Sequence, residues 1–300
     1  MGALIIKIFM SIMEFLGRIF IFNRNLPQGY DKTPDVPYAD KGRRLDIFRP
    51  TGNKEKLPVL IYIHGGGWTT GSKLTGTRQC VTLCLEGYLV INVKYRLGPK
   101  YVHPAPLVDI GLVLKWLNEH KEGLKADTDC IFFCGSSAGG HLSCMASCIA
   151  TNPSFKEQLG IDFPIDGRQV AGTILICGGY NMETIVDSGF RMIKTMVKSY
   201  CGTRKPAESP LREEISPIHH ITEDFPPAFI TAGERDKLFG QSLELIELLD
   251  KKGLEYDKML FSREVRAAKH AFLHRYYRDC SKKTYKAIIE FMNKHSKAGE

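Results

Sequence analysis

The stretch "CIFFCGSSAGGHLSCMASCIA", residues 130–150, decides the predicted fold. Its first part, 130–135, is a short apolar run that predicts a buried strand, and the run that begins at His141 predicts a helix. Between them, residues 135–139 spell Gly-x-Ser-x-Gly with Ser137 at the centre. A strand, a sharp turn and a helix in this order expose a serine hydroxyl as a nucleophile. Glycine and serine are common in loops, so the pattern needs support from the rest of the chain.

A second glycine-rich motif, "HGGGW" at residues 64–68, supports this interpretation. It directly follows the predicted strand "LPVLIYI" and lies upstream of the serine. Glycines let the main chain turn its N–H groups inward, where they stabilise the oxyanion of a tetrahedral intermediate. The alternative is a phosphate-binding loop, but residues 71–73 read Gly-Ser-Lys where that loop needs Gly-Lys-Ser or Gly-Lys-Thr. The motif therefore indicates an oxyanion hole.

A serine hydroxyl needs a base to take its proton, and the base needs an acid to orient it. In the α/β-hydrolases, whose nucleophile turn this stretch resembles, the acid and then the histidine follow the serine along the chain. Asp236 lies just after the predicted strand "PAFITAG", and His270 lies in "KHAF" after the last predicted strand. These two residues are the favoured candidates. Glu234 is the rival for the acid, and His274 is the rival for the base.

The chain around these motifs alternates between strand-like and helix-like segments. Amphipathic helices are predicted at 106–120 and 241–253. Strands are predicted at 44–50, 57–63, 88–96, 130–135, 171–177, 227–233 and 256–262. Such alternation predicts an α/β fold with one mostly parallel central sheet flanked by helices, in a single catalytic domain over residues 41–300.

Two segments depart from the alternation. Residues 178–226 form a long insertion between two predicted strands, and such insertions often cover an active site. We therefore predict a cap there, with His219 and His220 as cap or surface residues. Residues 1–40 are predicted to form an N-terminal amphipathic helix and a second cap segment.

The N-terminal helix is predicted over residues 3–22, an apolar run with a narrow polar stripe. Lys7, Ser11, Glu14 and Arg18 are spaced so that all four lie on that stripe. Three roles stay open for this helix: a lid or core helix, a segment that associates with a membrane surface, or a membrane span. Charged residues disfavour the span.

The amino-acid composition limits the kinds of binding partner and the cellular compartment that we expect for this chain. The net charge of +8 is not accompanied by interleaved basic and aromatic residues, so no nucleic-acid binding is predicted. The nine cysteines include no Cys-x-x-Cys pair, which argues against a structural zinc site. Several cysteines lie in apolar runs and are predicted to be buried and reduced, which favours the cytoplasm.

Taken together, the chain resembles the hormone-sensitive-lipase-like branch of the α/β-hydrolases, which includes small esterases and carbohydrate acetyl or feruloyl esterases. The resemblance covers roughly residues 40–295. It rests on "HGGGW", "YRLGPKYVHPAPLVD", "GSSAGGHL", "SPIHHI", "PPAFITAGERDKL" and "KHAF". It implies an α/β-hydrolase fold and a serine esterase that needs neither a metal nor an organic cofactor.

The resemblance also implies roles for individual residues. The implied triad is Ser137, Asp236 and His270. The implied oxyanion donors are the backbone amides of Gly66, Gly67 and Ala138, and the implied supports of the loop are His64 and Gly65. The chain departs from the family at Ser136, where many relatives have Asp, and this departure is more typical of carbohydrate esterases.

The sequence therefore predicts a serine carboxylesterase that acts on short- or medium-chain acyl esters through an acyl-enzyme. A carbohydrate acetyl or feruloyl esterase, or an amidase, with the same triad is the alternative within this class. A non-catalytic relative that binds a small molecule is a further alternative, which the presence of His270 disfavours. A small-molecule ester is the expected partner, and the sequence predicts no oligomeric state.

Overall fold

The central element of the computed structural model, which describes residues 23, 25–40, 42–203 and 211–296, is one eight-stranded sheet. Its strands are Tyr30–Pro37 (β1), Arg44–Pro50 (β2), Leu57–Ile63 (β3), Leu89–Val93 (β4), Ala126–Ser136 (β5), Val170–Ile176 (β6), Ala228–Gly233 (β7) and Tyr256–Phe261 (β8). They lie in the order β1-β2-β4-β3-β5-β6-β7-β8. Strands β3 to β8 run parallel, whereas β2 is antiparallel to both β1 and β4. The predicted, mostly parallel sheet is confirmed.

Helices cover both faces of the sheet. They are Thr77–Cys84 (α1), Ala105–Leu124 (α2), Ala138–Thr151 (α3), Pro153–Leu159 (α4), Ile193–Cys201 (α5), Leu211–Glu214 (α6), Phe239–Lys252 (α7) and Asp279–Ser296 (α8). Successive side chains of a strand point to opposite faces, so each strand contributes to two hydrophobic cores. In β3, Ile61 and Ile63 pack in the core that contains α2, α3 and α7, whereas Leu60 and Tyr62 pack in the core that contains α1 and α8. Burial of the sheet on both faces explains why its strands read as nearly continuous apolar runs.

The N-terminal part differs from the prediction. Residues 30–37 were expected in the cap segment, but they form the edge strand β1, paired with β2. Their sequence, "YDKTPDVP", lacks the apolar run that marks the other strands, and most of its side chains are exposed. Charged residues and prolines are common on edge strands because they discourage pairing with another chain. The helix predicted over 3–22 lies outside the described residues.

The insertion between β6 and β7 contains α5 and α6. Its described residues also include the 3₁₀ helices Ile185–Asp187 and Pro217–His219. It follows the carboxyl end of β6, the edge of the sheet at which α/β proteins place their ligands. Among the helices that the structure describes, none combines the length and the apolar character needed to cross a membrane.

Candidate active site

Ser137 lies on a strained turn between β5 and α3. Its backbone angles, φ 57° and ψ −120°, belong to a conformation that residues other than glycine rarely adopt. The glycines on either side are required by close packing. A Cβ atom on Gly135 would lie 2.3 Å from the backbone of Gly139, and one on Gly139 would lie 2.0 Å from the carbonyl oxygen of Ile63. The glycines of the motif therefore allow β3, β5 and α3 to pack closely around the partly buried Ser137.

Ser137, His270 and Asp236 form one chain of hydrogen bonds. Nε2 of His270 lies 2.9 Å from Oγ of Ser137, and Nδ1 lies 2.7 Å from Oδ2 of Asp236. The carboxylate can only accept, so Nδ1 carries the proton and Nε2 accepts the hydrogen bond of the serine hydroxyl. The other carboxylate oxygen of Asp236 accepts the backbone N–H of Leu238 at 2.9 Å, which fixes the acid in its loop after β7. This is the geometry in which a histidine takes the proton of a serine hydroxyl.

The surroundings of His270 make its ring a stronger base. Burial opposes the charge, but Cys177 and Asp236 outweigh this effect and raise the pKa of His270 above its ordinary value. The carboxylate of Asp236 is buried against the ring, so little water screens it. Asp236 therefore stabilises the imidazolium that forms when the ring accepts a proton.

The loop after β3 holds backbone N–H groups beside Ser137. Gly66 and Gly67 have φ angles of 128° and 58°, and a Cβ atom on Gly66 would lie 2.2 Å from the carbonyl oxygen of Thr70. Thr70 locks this turn, because its backbone N–H and its hydroxyl both donate to the carbonyl of Gly66, at 3.0 and 2.9 Å. Within the described chain, no hydrogen bond engages the N–H of Gly66, Gly67 or Ala138. Their use as oxyanion donors stays a prediction.

His64 lies behind this loop. Its ring stacks on Tyr95 with centroids 4.3 Å apart, and the Tyr95 hydroxyl donates to the His64 carbonyl at 2.8 Å. Nδ1 of His64 donates to the carbonyl oxygen of Gly65, 2.8 Å away. Burial lowers the pKa of His64 to about 4, so the ring is neutral near pH 7. A neutral ring in this position braces the glycine loop.

The alternative candidates for the acid and the base, Glu234 and His274, have other hydrogen-bond partners. Glu234 is exposed, and its carboxylate accepts the backbone N–H of Arg263 at 2.9 Å. Nδ1 of His274 lies 3.0 Å from the side-chain amide of Gln79. Burial lowers the pKa of His274 to about 4. The structure brings Asp236 and His270, rather than these two residues, into the chain of hydrogen bonds with Ser137.

The two histidines of the insertion also lie apart from that chain. His219 is exposed. His220 stacks on Phe155 with ring centroids 3.5 Å apart, and its Nε2 bonds the carbonyls of Glu213 and Glu214. The stacking on Phe155 holds the insertion against the body of the protein, whereas the two hydrogen bonds lie within the insertion.

Two side chains of the insertion reach the site and were not predicted individually. The ring of Phe190 meets that of His270 edge to face, with centroids 4.7 Å apart. Met196 packs on the glycine loop, where a Cβ atom on Gly67 would lie 2.5 Å from its Sδ atom. The predicted cap at 178–226 was the only signal for them, because an apolar residue in an irregular segment does not reveal its tertiary partner.

Cys177, the residue after β6, was also missed as part of the site. It was predicted as a small buried hydrophobe, and it is fully buried. Its sulfur, a carboxylate oxygen of Asp236 and a ring nitrogen of His270 all lie within 4.8 Å of one another. The backbone N–H of Ala271 donates to this sulfur at 3.4 Å. A thiol thus adjoins two of the three hydrogen-bonded residues.

The chain matches one protein-family model and is similar in sequence to several curated proteins. The family model described as BD-FAE matches residues 45–249. The probable carboxylic ester hydrolase LipM of Mycobacterium tuberculosis is 29% identical over 219 residues, which are 70% of this chain and 49% of that protein. Carboxylesterase NlhH of the same species is 27% identical over 267 residues, 81% of this chain and 74% of that protein. The chain spans about half the length of the first curated relatives that it matches.

Solved structures resemble the whole described fold. Esterase B of Lactobacillus rhamnosis superposes with a TM-score of 0.85 at 22% identity, over 96% of this chain and 92% of that one. An esterase of Pyrobaculum calidifontis superposes with a TM-score of 0.78 at 22% identity, over 99% of this chain and 94% of that one. At such low identity these likenesses concern the fold alone.

Proposed function

The chain belongs to the BD-FAE family and has the α/β-hydrolase fold, and from this premise we propose that it is a serine carboxylesterase. The observation that carries the proposal is the continuous hydrogen bonding from Ser137 through His270 to Asp236, beside backbone amides available to an oxyanion. The names of the curated relatives, carboxylic ester hydrolase and carboxylesterase, support the same reaction class.

In the proposed first step, Ser137 attacks the carbonyl carbon of the ester. His270 removes the hydroxyl proton as the bond forms, and the positive charge that it gains is balanced by Asp236. The carbonyl oxygen becomes an oxyanion and accepts hydrogen bonds from the amides of Gly66, Gly67 and Ala138. Because these donors are fixed in place before the reaction, they stabilise the transition state without reorganisation.

The second step releases the acid. His270 first gives its proton to the departing alcohol, which leaves Ser137 acylated. Water then takes the place of the alcohol, loses a proton to His270 and attacks the acyl carbon. Collapse of the second tetrahedral intermediate returns the proton to Ser137 and frees the carboxylic acid. Every proton passes through Nε2 of His270, and this route requires no metal ion.

The surface of the insertion suits a substrate with a short or medium apolar group. A groove of about 470 Å³ follows its surface, and Phe190, which contacts the ring of His270, forms part of the groove wall. The groove is lined by Val186, Asp187, Gly189, Phe190, Met192, Ile193 and Lys194. Val186, Met192 and Ile193 join Phe190 in the wall, and such apolar side chains suit an acyl chain or an apolar alcohol. We assign the insertion the role of a cap on this basis.

A carbohydrate acetyl or feruloyl esterase is the second candidate, favoured by Ser136 beside the nucleophile. A panel of p-nitrophenyl esters of increasing acyl length, run alongside acetylated xylan, separates the two. We expect hydrolysis to be greatest for short to medium acyl groups, and a preference for acetate with activity on xylan would instead favour the sugar esterase. The control is Ser137→Ala, which keeps the fold and removes the nucleophile. Equal rates for this variant and the wild type contradict the proposed mechanism.

A further inference from the structure

The side chain of Cys177 takes no part in the proposed reaction, although it adjoins two of the reacting groups. Its sulfur lies within 4.8 Å of a carboxylate oxygen of Asp236 and of a ring nitrogen of His270. In the part of the chain that the structure describes, this is the group of His, Cys, Asp and Glu side chains close enough to hold a metal ion. One sulfur, one nitrogen and one oxygen are ligands that Zn²⁺ accepts.

The sulfur of Cys177 also lies beside two hydrogen-bonding groups. The N–H of Ala271 donates to it at 3.4 Å, and the hydroxyl of Ser136 lies 3.7 Å away. Donors of this kind accompany ligating side chains in metal sites and orient them. Ser136, the residue before the nucleophile, thus contacts the sulfur of Cys177.

Backbone strain is found beside the same sulfur atom. Cys177 and Ala271 both have positive φ angles, 43° and 54°, which cost free energy in residues other than glycine. The two strained residues face each other through the N–H···S contact. The fold thus maintains a conformation that presents the sulfur to the loop of His270.

We infer that Cys177, Asp236 and His270 form a binding site for Zn²⁺ that blocks the catalytic base when it is occupied. The thiolate and the carboxylate balance the two charges of the cation, and the neutral imidazole supplies the third ligand. Zinc bonds of about 2.0–2.3 Å place neighbouring ligand atoms about 3.5 Å apart. The sulfur must therefore close in by up to about 1 Å, whereas Nδ1 of His270 and Oδ2 of Asp236, which lie 2.7 Å apart, must separate by a little less. Binding releases the thiol proton, and water completes the coordination.

Occupation of the site stops the proposed reaction, and this part of the inference rests on the proposed function. If zinc binds Nδ1 of His270, the remaining ring proton must lie on Nε2, which then cannot accept the proton of Ser137. If zinc binds Nε2, it occupies the lone pair directly. In both cases Asp236 no longer orients the base. Micromolar zinc would then act as a reversible inhibitor, relieved by a chelator.

The test measures binding without relying on hydrolysis. Zn²⁺ is titrated by calorimetry into the full chain carrying Ser137→Ala, with and without Cys177→Ala. The matched control is Cys134→Ala, which removes another buried thiol, from β5. We expect loss of Cys177 to weaken zinc binding at least about 10-fold, and loss of Cys134 to leave it unchanged. Cobalt(II) should give a thiolate-to-metal charge-transfer band that disappears only with Cys177→Ala.

Equal zinc affinity with and without Cys177, or an unchanged cobalt spectrum in Cys177→Ala, overturns the inference. Zinc inhibition of ester hydrolysis is then compared in the wild type, Cys177→Ala and Cys134→Ala. Inhibition that persists in Cys177→Ala also overturns it. If the Ser137→Ala chain binds zinc through Cys177 but the wild type hydrolyses no ester, the metal site stands and the proposed function fails.

Discussion

The indole N–H of Trp68 donates a hydrogen bond to Nδ1 of His141 across 3.1 Å, and this bond fixes His141 in one neutral form. An indole N–H can only donate, so Nδ1 must be the acceptor. Nε2 must then carry the proton, which it donates to the carbonyl of Ile215 at 2.8 Å. One buried ring thus ties the glycine loop, helix α3 and the insertion together.

The first prediction concerns stability against pH. Burial lowers the pKa of His141 from 6.5 to about 3. As the pH falls below 6.5 the unfolded chain binds a proton here that the folded chain does not bind until about pH 3, so the free energy of unfolding decreases over this range. Between pH 6.5 and 5, His141 alone should cost about 2 kcal/mol. Urea denaturation at the two pH values measures the change.

The variant His141→Gln removes the titrating ring and should flatten this pH dependence, although it lowers stability at pH 7. His219→Gln, at an exposed site, is the control and should retain the slope of the wild type. His64, whose pKa burial lowers to about 4, contributes in the same direction and accounts for part of the slope that remains. Equal slopes in His141→Gln and the wild type would refute the assignment.

The second prediction concerns the orienting acid. Asp236→Asn should lower kcat for p-nitrophenyl acetate by about 10⁴-fold, because an amide favours the wrong tautomer of His270. Glu234→Gln alters the rival carboxylate, which is exposed, and should leave kcat within about a factor of two of the wild type. Steady-state rates of the two variants decide between the carboxylates. A large loss in Glu234→Gln and a small one in Asp236→Asn would reverse the assignment.

The third prediction concerns the glycines of the turn. Gly139→Ala places a methyl group 2.0 Å from the carbonyl oxygen of Ile63, and two backbones cannot easily separate there. We expect a loss of at least about 3 kcal/mol in the free energy of unfolding. Gly240→Ala is the matched control, since no atom lies within 4 Å of the added methyl group and the site is helical. It should be neutral or stabilise by up to about 1 kcal/mol.

The fourth prediction concerns the cap. Phe190→Ala removes an aromatic face from the groove beside His270. The lost apolar contact is worth about 1–2 kcal/mol, so kcat/KM should fall about 5- to 30-fold for butyrate or hexanoate esters and much less for acetate. Tyr277→Ala changes an aromatic residue that is 49% exposed and should leave the profile unchanged. A uniform loss across all acyl lengths would show that Phe190 acts on the base rather than on the substrate.

Much of the sheet could be predicted from the sequence, because its inner strands are buried on both faces and read as apolar runs. Both β2 and β3 were predicted with the bounds that the structure has. Strand β1 was missed because an exposed edge strand carries no such run. The local pattern of apolar residues indicates which strands are buried. The edge strand β1 is instead stabilised mainly by its pairing with β2.

Some residues of the candidate site could likewise be predicted from the sequence, and others could not. Ser137, Gly66 and Gly67 adopt backbone angles that few residue types can adopt, so the glycine-rich motifs at these positions could be recognised in the sequence. The contact of Cys177 with His270 is different, because the two residues follow different strands and meet only across the assembled sheet. A buried cysteine after an apolar run looks the same whether it adjoins a base or a core helix.

The order of the strands has a consequence during synthesis. The nucleophile follows β5, in the middle of the sheet, whereas the proposed base follows β8 at its edge, 133 residues later in the chain. A nascent chain that ends before β8 therefore holds Ser137 and the glycine loop but lacks His270, the proposed base. The proposed hydrolysis would then require synthesis of the chain at least through His270, which a series of truncated chains in a cell-free system would reveal.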